Sequence, residues 1–560
     1  MSDLPLGDGT VSEIQIVDAY HERTKNYVHR LAAGPGHIDF DTQPDLFRHY
    51  ADAPIIRLPL PIEGFELPYW RLYISEDREP REINKDNISL FFRYALSLTA
   101  WKTIQETTFP LRVNPSSGNL HPTEGYALVP PIEGIHDMPG IYHYLPKEHA
   151  LEHRSRISPS LWADLMKPFP EKSFLAGLTS IFWRQSWKYG ERSFRFCQED
   201  IGHALGTLRY AAAALGWKLY LLPGVDDAQI SRILGLDRDQ DYVGAEREAP
   251  TVLVLITKYS WENPAGLKLP DEAVSEISNG RWEGKANVLS SAHNFSWPAI
   301  DEVANATIGK GLTIHEEFAH FPSEEELFGV PVRSGSFSAE KVILGRRSAH
   351  KMDRKTAIDG ATFFRMMARL VPSRGPRQVP WDAVPWKPRI HLGLFLHRVD
   401  GLPRGLYVLV RDPAKITTLQ KSMRKSFKWA NPSGCPSGLS LFLLKEGDYQ
   451  SLSIKVSCNQ NLAGDGAFSV SMFSEYLESL SNYGASFYRN LFWEAGLVGQ
   501  VLYLESEEAG IGSSGIGAHL DESVHEIFGF TSRKWQSIYN FTVGGPVEDI
   551  RLTTLPAYQR

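Results

Sequence analysis

The amino-acid sequence predicts an α+β fold made of two homologous domains, and three observations lead to that prediction. The chain has 560 residues, which is more than one hydrophobic core normally holds. Segments with helical periodicity occur beside short β-branched runs, as in proteins that combine helices with sheets. A pattern of residues in the first half also recurs in the second half. We therefore expect two domains of roughly 200 residues each.

The repeat is clearest at Lys188-Tyr189-Gly190, which corresponds to Asn482-Tyr483-Gly484 at an offset of 294 residues. An earlier Phe91-Phe92-Arg93 is echoed by Phe363-Phe364-Arg365 at a different offset, which implies insertions between the echoes. Chance matching of glycines is the alternative, since glycines recur at helix ends for general reasons. The offset of 294 also aligns, without gaps, Arg195 with Arg489, Gly202 with Gly496, Gly216 with Gly510, Asp227 with Asp521, Ile233 with Ile527 and Gly235 with Gly529.

The composition disfavours several classes of function. Hydrophobic residues make up 42% and charged residues 22% of the chain, as in ordinary globular proteins, and no apolar stretch approaches the roughly 20 residues of a membrane span. Residues 1–10 lack the pattern of a secretory signal, so we expect a cytoplasmic protein. A net charge of −7 with dispersed signs offers no basic stripe for nucleic acid. The cysteines are too far apart to suggest a disulfide framework, a zinc site or an iron-sulfur cluster: Cys197, Cys435 and Cys458.

Periodicity and punctuation predict the individual elements. Helical spacing predicts helices within 11–32, 88–101, 198–216, 357–370 and 497–508. A β-branched apolar run predicts a buried strand over 251–256. Residues 260–330 show no sustained periodicity and are interpreted as a long connection over the active site. The predicted parts are an N-terminal extension (1–80), a first domain (81–260), a linker or lid (261–330) and a second domain (331–560).

Residues 114–122, Asn-Pro-Ser-Ser-Gly-Asn-Leu-His-Pro, form a loop by composition. Serine and asparagine side chains can donate or accept hydrogen bonds along the edge of a ligand, and Gly118 permits close approach of the backbone. A purely structural turn is the alternative. The candidate binding residues of this loop are Pro115, Ser116, Ser117, Gly118 and Asn119.

A basic segment, Arg346-Arg347-Ser348-Ala349-His350, precedes the predicted helix over 357–370. Two guanidinium groups with a hydroxyl suit bidentate binding of a phosphate. A solvated basic turn is the alternative interpretation.

The glycine-rich segment 510–517 matches the dinucleotide-binding pattern GxGxxG. That pattern requires a preceding strand and a following helix in a βαβ unit, whereas residues 497–508 are predicted to be a helix. We therefore expect a loop that presents backbone amides at Gly515, Ile516 and Gly517. His315 and His320 resemble a zinc-protease helix but are five residues apart, so no metal site is predicted.

At the basic segment the sequence resembles nitroreductases, in which an Arg-x-Ser start followed by a helix binds the flavin phosphate. The loop of residues 114–122 is similar to the flavin-edge loop, and more narrowly to that of SagB-type dehydrogenases, the azoline oxidases of ribosomal-peptide modification. The resemblance implies FMN as the cofactor and two domains, each a mixed sheet flanked by helices, forming an intramolecular pseudo-dimer. It assigns the phosphate to Arg346, Arg347, Ser348 and Arg551, and flavin N5 to Gly515–Gly517.

His350 departs from the resemblance, because many members carry Arg or Lys there. Charge near the reduced ring would then depend on pH through the imidazole.

The resemblance assigns turnover to Lys188 and Tyr189, since a Lys-Tyr pair in this position of SagB-type enzymes is implicated as base and proton-transfer partner. A desolvated lysine can serve as a base, and the neighbouring phenol can relay the proton. A surface pair on a helix is the alternative. The second domain has Asn482 in place of the lysine, and the first has Arg81-Glu82-Ile83-Asn84 where Arg-Arg-Ser is expected. We therefore expect one composite FMN site per chain.

Three functions follow from these expectations. The first is FMN-dependent dehydrogenation of an azoline or another peptide-derived or small-molecule substrate. The second is NAD(P)H-dependent reduction of nitro or quinone compounds, and the third is a non-catalytic scaffold without flavin. The sequence leaves the substrate, the electron partner and any further oligomerisation open.

Overall fold

The computed structural model describes residues 11–61, 66–74, 78–262, 264–329, 337–375 and 377–558. Residues 1–10, on which the signal-peptide expectation rests, lie outside these ranges. The first half contains, in order, α1 (Glu13–Arg23), β1 (Tyr50–Ala51), β2 (Ile55–Arg57), α2 (Lys85–Ala95), β3 (Leu98–Ile104), β4 (Thr107–Arg112), β5 (Thr123–Val129), β6 (Gly140–Leu145), β7 (Ala150–Arg156), α3 (Pro159–Met166), β8 (Ser173–Ser180), α4 (Phe182–Tyr189), α5 (Ser193–Ala214), β9 (Lys218–Leu221), α6 (Asp227–Leu234) and β10 (Ala249–Thr257).

The remainder of the described chain begins with short helices and then repeats the plan of the first half. The connecting part contains α7 (Asp271–Ser278), β11 (Lys285–Ala286), α8 (Pro298–Ala306), α9 (Glu324–Phe328) and α10 (Ala339–Gly345). The second half contains β12 (Ile358–Asp359), α11 (Gly360–Arg369), β13 (Ile390–Leu396), β14 (Val399–Asp400), β15 (Gly405–Leu409), α12 (Ile416–Ser422), β16 (Leu441–Glu446), α13 (Gln450–Val456), α14 (Leu462–Asp465), β17 (Phe468–Glu475), α15 (Tyr476–Tyr483), α16 (Phe487–Glu508), β18 (Gly512–Ile516), α17 (Asp521–Phe528), β19 (Trp535–Gly544) and β20 (Thr553–Pro556).

Two large sheets form the centres of the two domains, and six strands follow the same order in both, with β2 added at the edge of the first. The first runs β2-β7-β6-β5-β8-β10-β9, and the second runs β16-β15-β13-β17-β19-β18. The α+β fold with two homologous domains is therefore confirmed. Where mixed sheets were expected, every pairing described within these two sheets is antiparallel, and the parallel pair lies in the small β12-β14 ladder.

The predicted offset of 294 residues holds for whole helices. It relates α4 to α15, α5 to α16 and α6 to α17 with identical bounds. The two long helices, α5 and α16, pack against each other at the centre of the molecule and cross at equivalent glycines. A Cβ atom on Gly202 would collide with the Trp493 carbonyl, and one on Gly496 would collide with the Glu199 carbonyl. The crossing thus brings two backbones into direct contact, which only glycine permits.

Helices α1 and α8 hold equivalent positions in the two repeats, although the sequence suggested an extension and a linker. Each is followed by a threonine whose hydroxyl donates one turn back: Thr24 to the Tyr20 carbonyl at 2.8 Å and Thr307 to the Val303 carbonyl at 2.7 Å. Two residues after each threonine, a backbone N–H donates to the aspartate that begins another helix, α17 in the first case and α6 in the second. These contacts are Asn26 to Asp521 and Gly309 to Asp227, each 2.8 Å long.

The same aspartates bind the central helices through equivalent ion pairs. Asp521 lies 2.9 Å from Arg195 Nη1, and Asp227 lies 2.8 Å from Arg489 Nη1. Each pair therefore joins the central helix of one half to the first turn of a helix in the other half. Because these groups are almost fully buried, removing one partner would leave an uncompensated charge.

Three local expectations are corrected by the structure. The helix predicted over 88–101 ends at Ala95, and its last residues belong to β3. Residues 260–330 contain α7, α8 and α9 rather than an irregular connection. The predicted glycine loop is instead largely strand β18, which pairs with β19 through Gly515↔Phe541. A strand suits this segment because pairing with β19 satisfies its backbone.

The chain ends by returning to the first domain. Strand β20 pairs with β3, and the Tyr558 hydroxyl donates to the Pro146 carbonyl at 2.6 Å. None of the described helices has both the length and the apolarity needed to cross a bilayer.

Candidate active site

The carboxylate of Asp200, in α5, binds the loop of residues 114–122. The Ser116 hydroxyl donates to Asp200 Oδ2 at 2.6 Å, and the Ser117 backbone N–H donates to Oδ1 at 3.1 Å. Gln185 Nε2 donates to the same carboxylate at 3.0 Å. Burial raises the pKa of Asp200 to about 7, although these three hydrogen bonds favour the ionised form. The conformation of the loop therefore depends on α5.

Lys188 and Tyr189 are the last two residues of α4, and the loop reaches them at Gly118. Gly118 has a φ of +65°, and a Cβ atom there would collide with the Tyr189 hydroxyl, so both conformation and space require glycine. Lys188 Nζ lies 5.4 Å from the centroid of the Tyr189 ring. Burial lowers the pKa of Lys188 and, together with Asp200, raises the pKa of Tyr189 to about 12. The lysine is thus favoured as a base and the phenol as a neutral donor.

Arg346 connects the second domain to the start of this loop. Its Nε donates to the Val113 carbonyl at 3.1 Å, and its Nη2 donates to the Arg112 carbonyl at 3.0 Å. The guanidinium also lies 4.9 Å from the centroid of the Tyr503 ring and is only 4% exposed. The basic segment late in the chain and the polar loop early in the chain are therefore adjacent.

The hydroxyl of Tyr503 joins the basic segment to the glycine-rich strand. It lies 2.8 Å from Ser348 Oγ and accepts the backbone N–H of Gly515 at 2.9 Å. Ser348 also forms a parallel β-bridge with Ser513. A Cβ atom on Gly515 would collide with the Tyr539 hydroxyl, so glycine lets the strand approach this tyrosine.

One face of α5 lines the space between the loop and β18. Phe196, Asp200 and His203 recur at helical spacing on this face. A Cβ atom on Gly517 would contact the Phe196 ring, and His203 Nε2 lies 3.1 Å from the Tyr539 hydroxyl. Burial lowers the pKa of His203 to about 3, so its imidazole is neutral at ordinary pH.

Several buried polar atoms around this space have no hydrogen-bond partner within the described residues. They are Asn114 Oδ1, Ser513 Oγ and both carboxyl oxygens of Glu199. Buried polar groups are normally satisfied, so these atoms are available to hydrogen-bond a polar ligand. The residues present fit the ring of a flavin, whose edge offers both donors and acceptors.

Two predicted cofactor-binding residues, Arg551 and His350, lie at exposed positions. Arg551 pairs with Asp549, with Nη2–Oδ2 at 2.6 Å. Among the described residues, no hydrogen bond joins Arg551 to Arg346 or Ser348. The side chain instead binds the carboxylate two residues before it, which is the nearest anion on the same tail. Its role as a phosphate ligand stays a prediction.

Two other predicted contacts serve their own segments. Arg347 Nη1 donates to the Arg346 carbonyl at 2.7 Å. Asn119 Nδ2 donates to the Pro110 carbonyl, and its Oδ1 lies 2.8 Å from His121 Nε2. Both side chains therefore hydrogen-bond to nearby backbone, and their roles as cofactor ligands stay predictions. The remaining predicted residues are buried or partly buried in the same region: Pro115, Ile516 and Gly517.

The pseudo-symmetric position on α16 is filled by apolar residues. At the offset of 294 residues, Trp493 corresponds to Glu199, and Leu221, Leu222 and Pro223 correspond to Gly515, Ile516 and Gly517. Only a cavity of about 30 Å³ remains there, and the Leu312 N–H donates to the Pro223 carbonyl across it.

Sequence reasoning missed the residues through which the predicted segments meet. Asp200 and His203 flank Ile201 on a helix that has an apolar face, and polar residues at that position were an available signal. Tyr503 and Tyr539 carried no such signal, because aromatic residues at helix and strand positions are usually core.

Arg346→Met is expected to destabilise the protein by roughly 3 kcal/mol, because it leaves the buried carbonyls of Arg112 and Val113 without donors. Thermal denaturation checks the prediction. Arg354→Met is the control, because that arginine is 68% exposed in a surface pair with Asp465. Equal melting temperatures for the two variants would contradict a stabilising role for the hydrogen bonds of Arg346.

A family model described as the nitroreductase family matches residues 80–245 and 406–545, more than half of the chain. The chain belongs to the nitroreductase family. The two matched regions correspond to the two homologous domains, so the family fold occurs here in tandem.

Relatives and solved structures agree with this membership. The trifolitoxin-processing protein TfxB of Rhizobium leguminosarum bv. trifolii is 33% identical over 171 residues, covering 28% of this chain and 44% of that protein. A nitroreductase-like protein of Methanocaldococcus jannaschii is 25% identical over 126 residues, covering 21% of this chain and 62% of its own. The alignments thus span less than two thirds of either relative. A crystal structure of a nitroreductase-like protein from Anabaena variabilis matches 95% of this chain and 99% of its own with a TM-score of 0.65 at 20% identity, which shows the shared fold.

Proposed function

We propose that the protein is an FMN-dependent dehydrogenase that oxidises an azoline or a similar heterocycle within a peptide-derived substrate. The observation that carries the proposal is the meeting of Arg346 and Ser348 from the second domain with the loop and the Lys188-Tyr189 pair from the first. The similarity to a toxin-processing protein supports a peptide substrate.

Residues of both domains would hold one FMN per chain. Ser348, with Arg347, would bind the phosphate, since hydroxyl and guanidinium donors suit an anion. Asn114 and Ser513 supply unpartnered polar atoms for the ring and its side chain. The filled position beside Trp493 supports a single flavin rather than two.

Lys188 would remove a proton from the substrate. FMN, when bound, accepts the second hydrogen together with the electron pair. The lowered pKa of Lys188 favours a neutral amine, and the adjacent Tyr189 hydroxyl would pass the proton away. Each turnover also requires an electron acceptor, such as oxygen or a quinone, that takes up the two electrons.

A groove along α4 supports a substrate larger than a nitro compound. Its volume is about 590 Å³, within the usual range for organic ligands. Ser186 of α4 lines it, and aromatic side chains form its walls. The rings of Trp183 and His293 lie 4.4 Å apart, and those of Phe295 and Trp297 lie 5.9 Å apart.

Phe295→Ala is expected to raise the KM for a peptide substrate about tenfold while leaving FMN content unchanged, because it removes part of an aromatic wall without touching the flavin position. Steady-state kinetics with the peptide measures the change. Tyr259→Ala, which alters a half-exposed aromatic residue outside the groove, serves as the control. An unchanged KM would show that the peptide does not use this groove.

Cofactor extraction followed by anaerobic reduction tests the proposed function. We expect one FMN per chain and loss of its colour when an azoline-containing peptide is added. Bleaching by NADPH without bleaching by the peptide would instead identify a nitro or quinone reductase. A protein that takes up no flavin would be a scaffold.

A further inference from the structure

Glu199 is a buried acid that the proposed mechanism does not use. It lies in α5 directly before Asp200 and is 1% exposed. Neither of its carboxyl oxygens has a hydrogen-bond partner among the described residues. A Cβ atom built on Gly517 would lie 3.2 Å from Glu199 Oε2. The carboxyl group therefore faces the space between α5 and the end of β18.

The charged groups near Glu199 have other partners. Arg195 lies in α5 and Arg192 immediately precedes that helix. The Nη1 atom of each lies 2.9 Å from one carboxylate oxygen of Asp521 in α17. On the other side, Asp200 accepts three hydrogen bonds from the loop and Gln185. Among the described residues, no cation hydrogen-bonds to Glu199, and a buried charge without a direct partner is strongly unfavourable.

We propose that Glu199 is held as a neutral carboxylic acid and donates a hydrogen bond to the flavin from the α5 side. The inference rests on the proposed function for the identity of the acceptor, but the protonation state stands on this chain alone. Burial raises the pKa of Glu199 well above its ordinary range, and Asp200 adds to the effect while Arg192 and Arg195 oppose it. Asp521 of α17 and Tyr539 of β19 are further titratable groups close enough to interact with it.

A neutral acid and an anchored carboxylate side by side give the two residues different tasks. Asp200 fixes the loop, whereas Glu199 would offer a hydrogen-bond donor to the bound ring. Environments that separate the pKa values of neighbouring carboxyl groups are a known way to assign such roles.

Infrared difference spectroscopy of the cofactor-free protein tests the protonation state. Spectra of wild type minus Glu199→Gln at about pH 8, above the pKa of about 7 of Asp200, should show a carboxylic-acid band that the variant lacks. A carboxylate band in its place would overturn the inference. This measurement needs no FMN, so its result is independent of whether the proposed function is correct.

Flavin titrations test the hydrogen bond. Glu199→Gln keeps an N–H donor and should bind FMN within about threefold of wild type, whereas Glu199→Met keeps the length without a donor and should bind about tenfold more weakly. Glu478→Met, at a partly exposed site in α15, is the matched control. Equal affinity of Glu199→Met and wild type would remove the proposed contact. If Glu199→Met does not fold, as judged by circular dichroism, the comparison of Glu199→Gln with wild type and the infrared spectra decide.

Discussion

Lys188→Ala is expected to lower kcat with an azoline peptide by about 10²- to 10⁴-fold, the usual contribution of a positioned general base. FMN affinity should stay close to that of wild type, because Lys188 Nζ contacts the Tyr189 ring rather than the phosphate residues. Steady-state kinetics and flavin titration measure the two quantities separately. Lys428→Ala, in an exposed pair with Glu446, is the control.

The pH profile distinguishes a base from a packing residue. Only the neutral amine accepts a proton, so the wild-type rate should rise with pH through the pKa of Lys188 and then level off. Since burial lowers that pKa, the rise should occur below the range of an ordinary lysine. Lys188→Ala should lose this rise. A variant with a normal rate, or a wild-type rate that falls over the same range, would eliminate Lys188 as the base.

Gly202→Leu is expected to prevent folding into the native two-domain arrangement. Even a Cβ atom at this position would collide with the Trp493 carbonyl of α16, and a backbone cannot move away as a flexible side chain can. Overpacking of this kind is among the most destabilising changes, and we expect it to lower the free energy of unfolding by roughly 4 kcal/mol or more. Soluble yield and thermal denaturation measure the effect.

Gly202→Ala gives a sharper form of the same test. In a helix interior, alanine is normally more stable than glycine by about 0.5–1 kcal/mol, so a lower melting temperature would reveal the cost of the crossing. Gly34→Ala is the control, because a Cβ atom there meets nothing within 4 Å. A rise in melting temperature for Gly202→Ala would mean that the helices do not approach as closely as described.

Local patterns in the sequence were sufficient for the repeat and for the segments of the candidate site. The offset of 294 residues is visible because glycines and charged residues mark helix ends and a helix crossing, which are constraints within each segment. Gly118 was predicted to permit close approach of the backbone to a ligand and Gly515 to present a backbone amide; in the structure, a Cβ atom at either position would collide with a tyrosine hydroxyl. The sequence misjudged β18, because a strand of glycines and serines has no apolar alternation to reveal it.

The sequence by itself determined that two related domains share one chain, and it predicted that a basic segment and a polar loop carry the chemistry. Only the tertiary structure decided which atoms meet. Arg346 donates to the carbonyls of the residues before the loop, and Asp200 accepts hydrogen bonds from Ser116 and Ser117. In the other half, Trp493 fills the position that corresponds to Glu199. The tertiary structure also decided that Arg551 binds Asp549. The reason is physical. Periodicity records which face of a segment is buried, whereas the partner across that face is chosen by the packing of residues hundreds of positions apart.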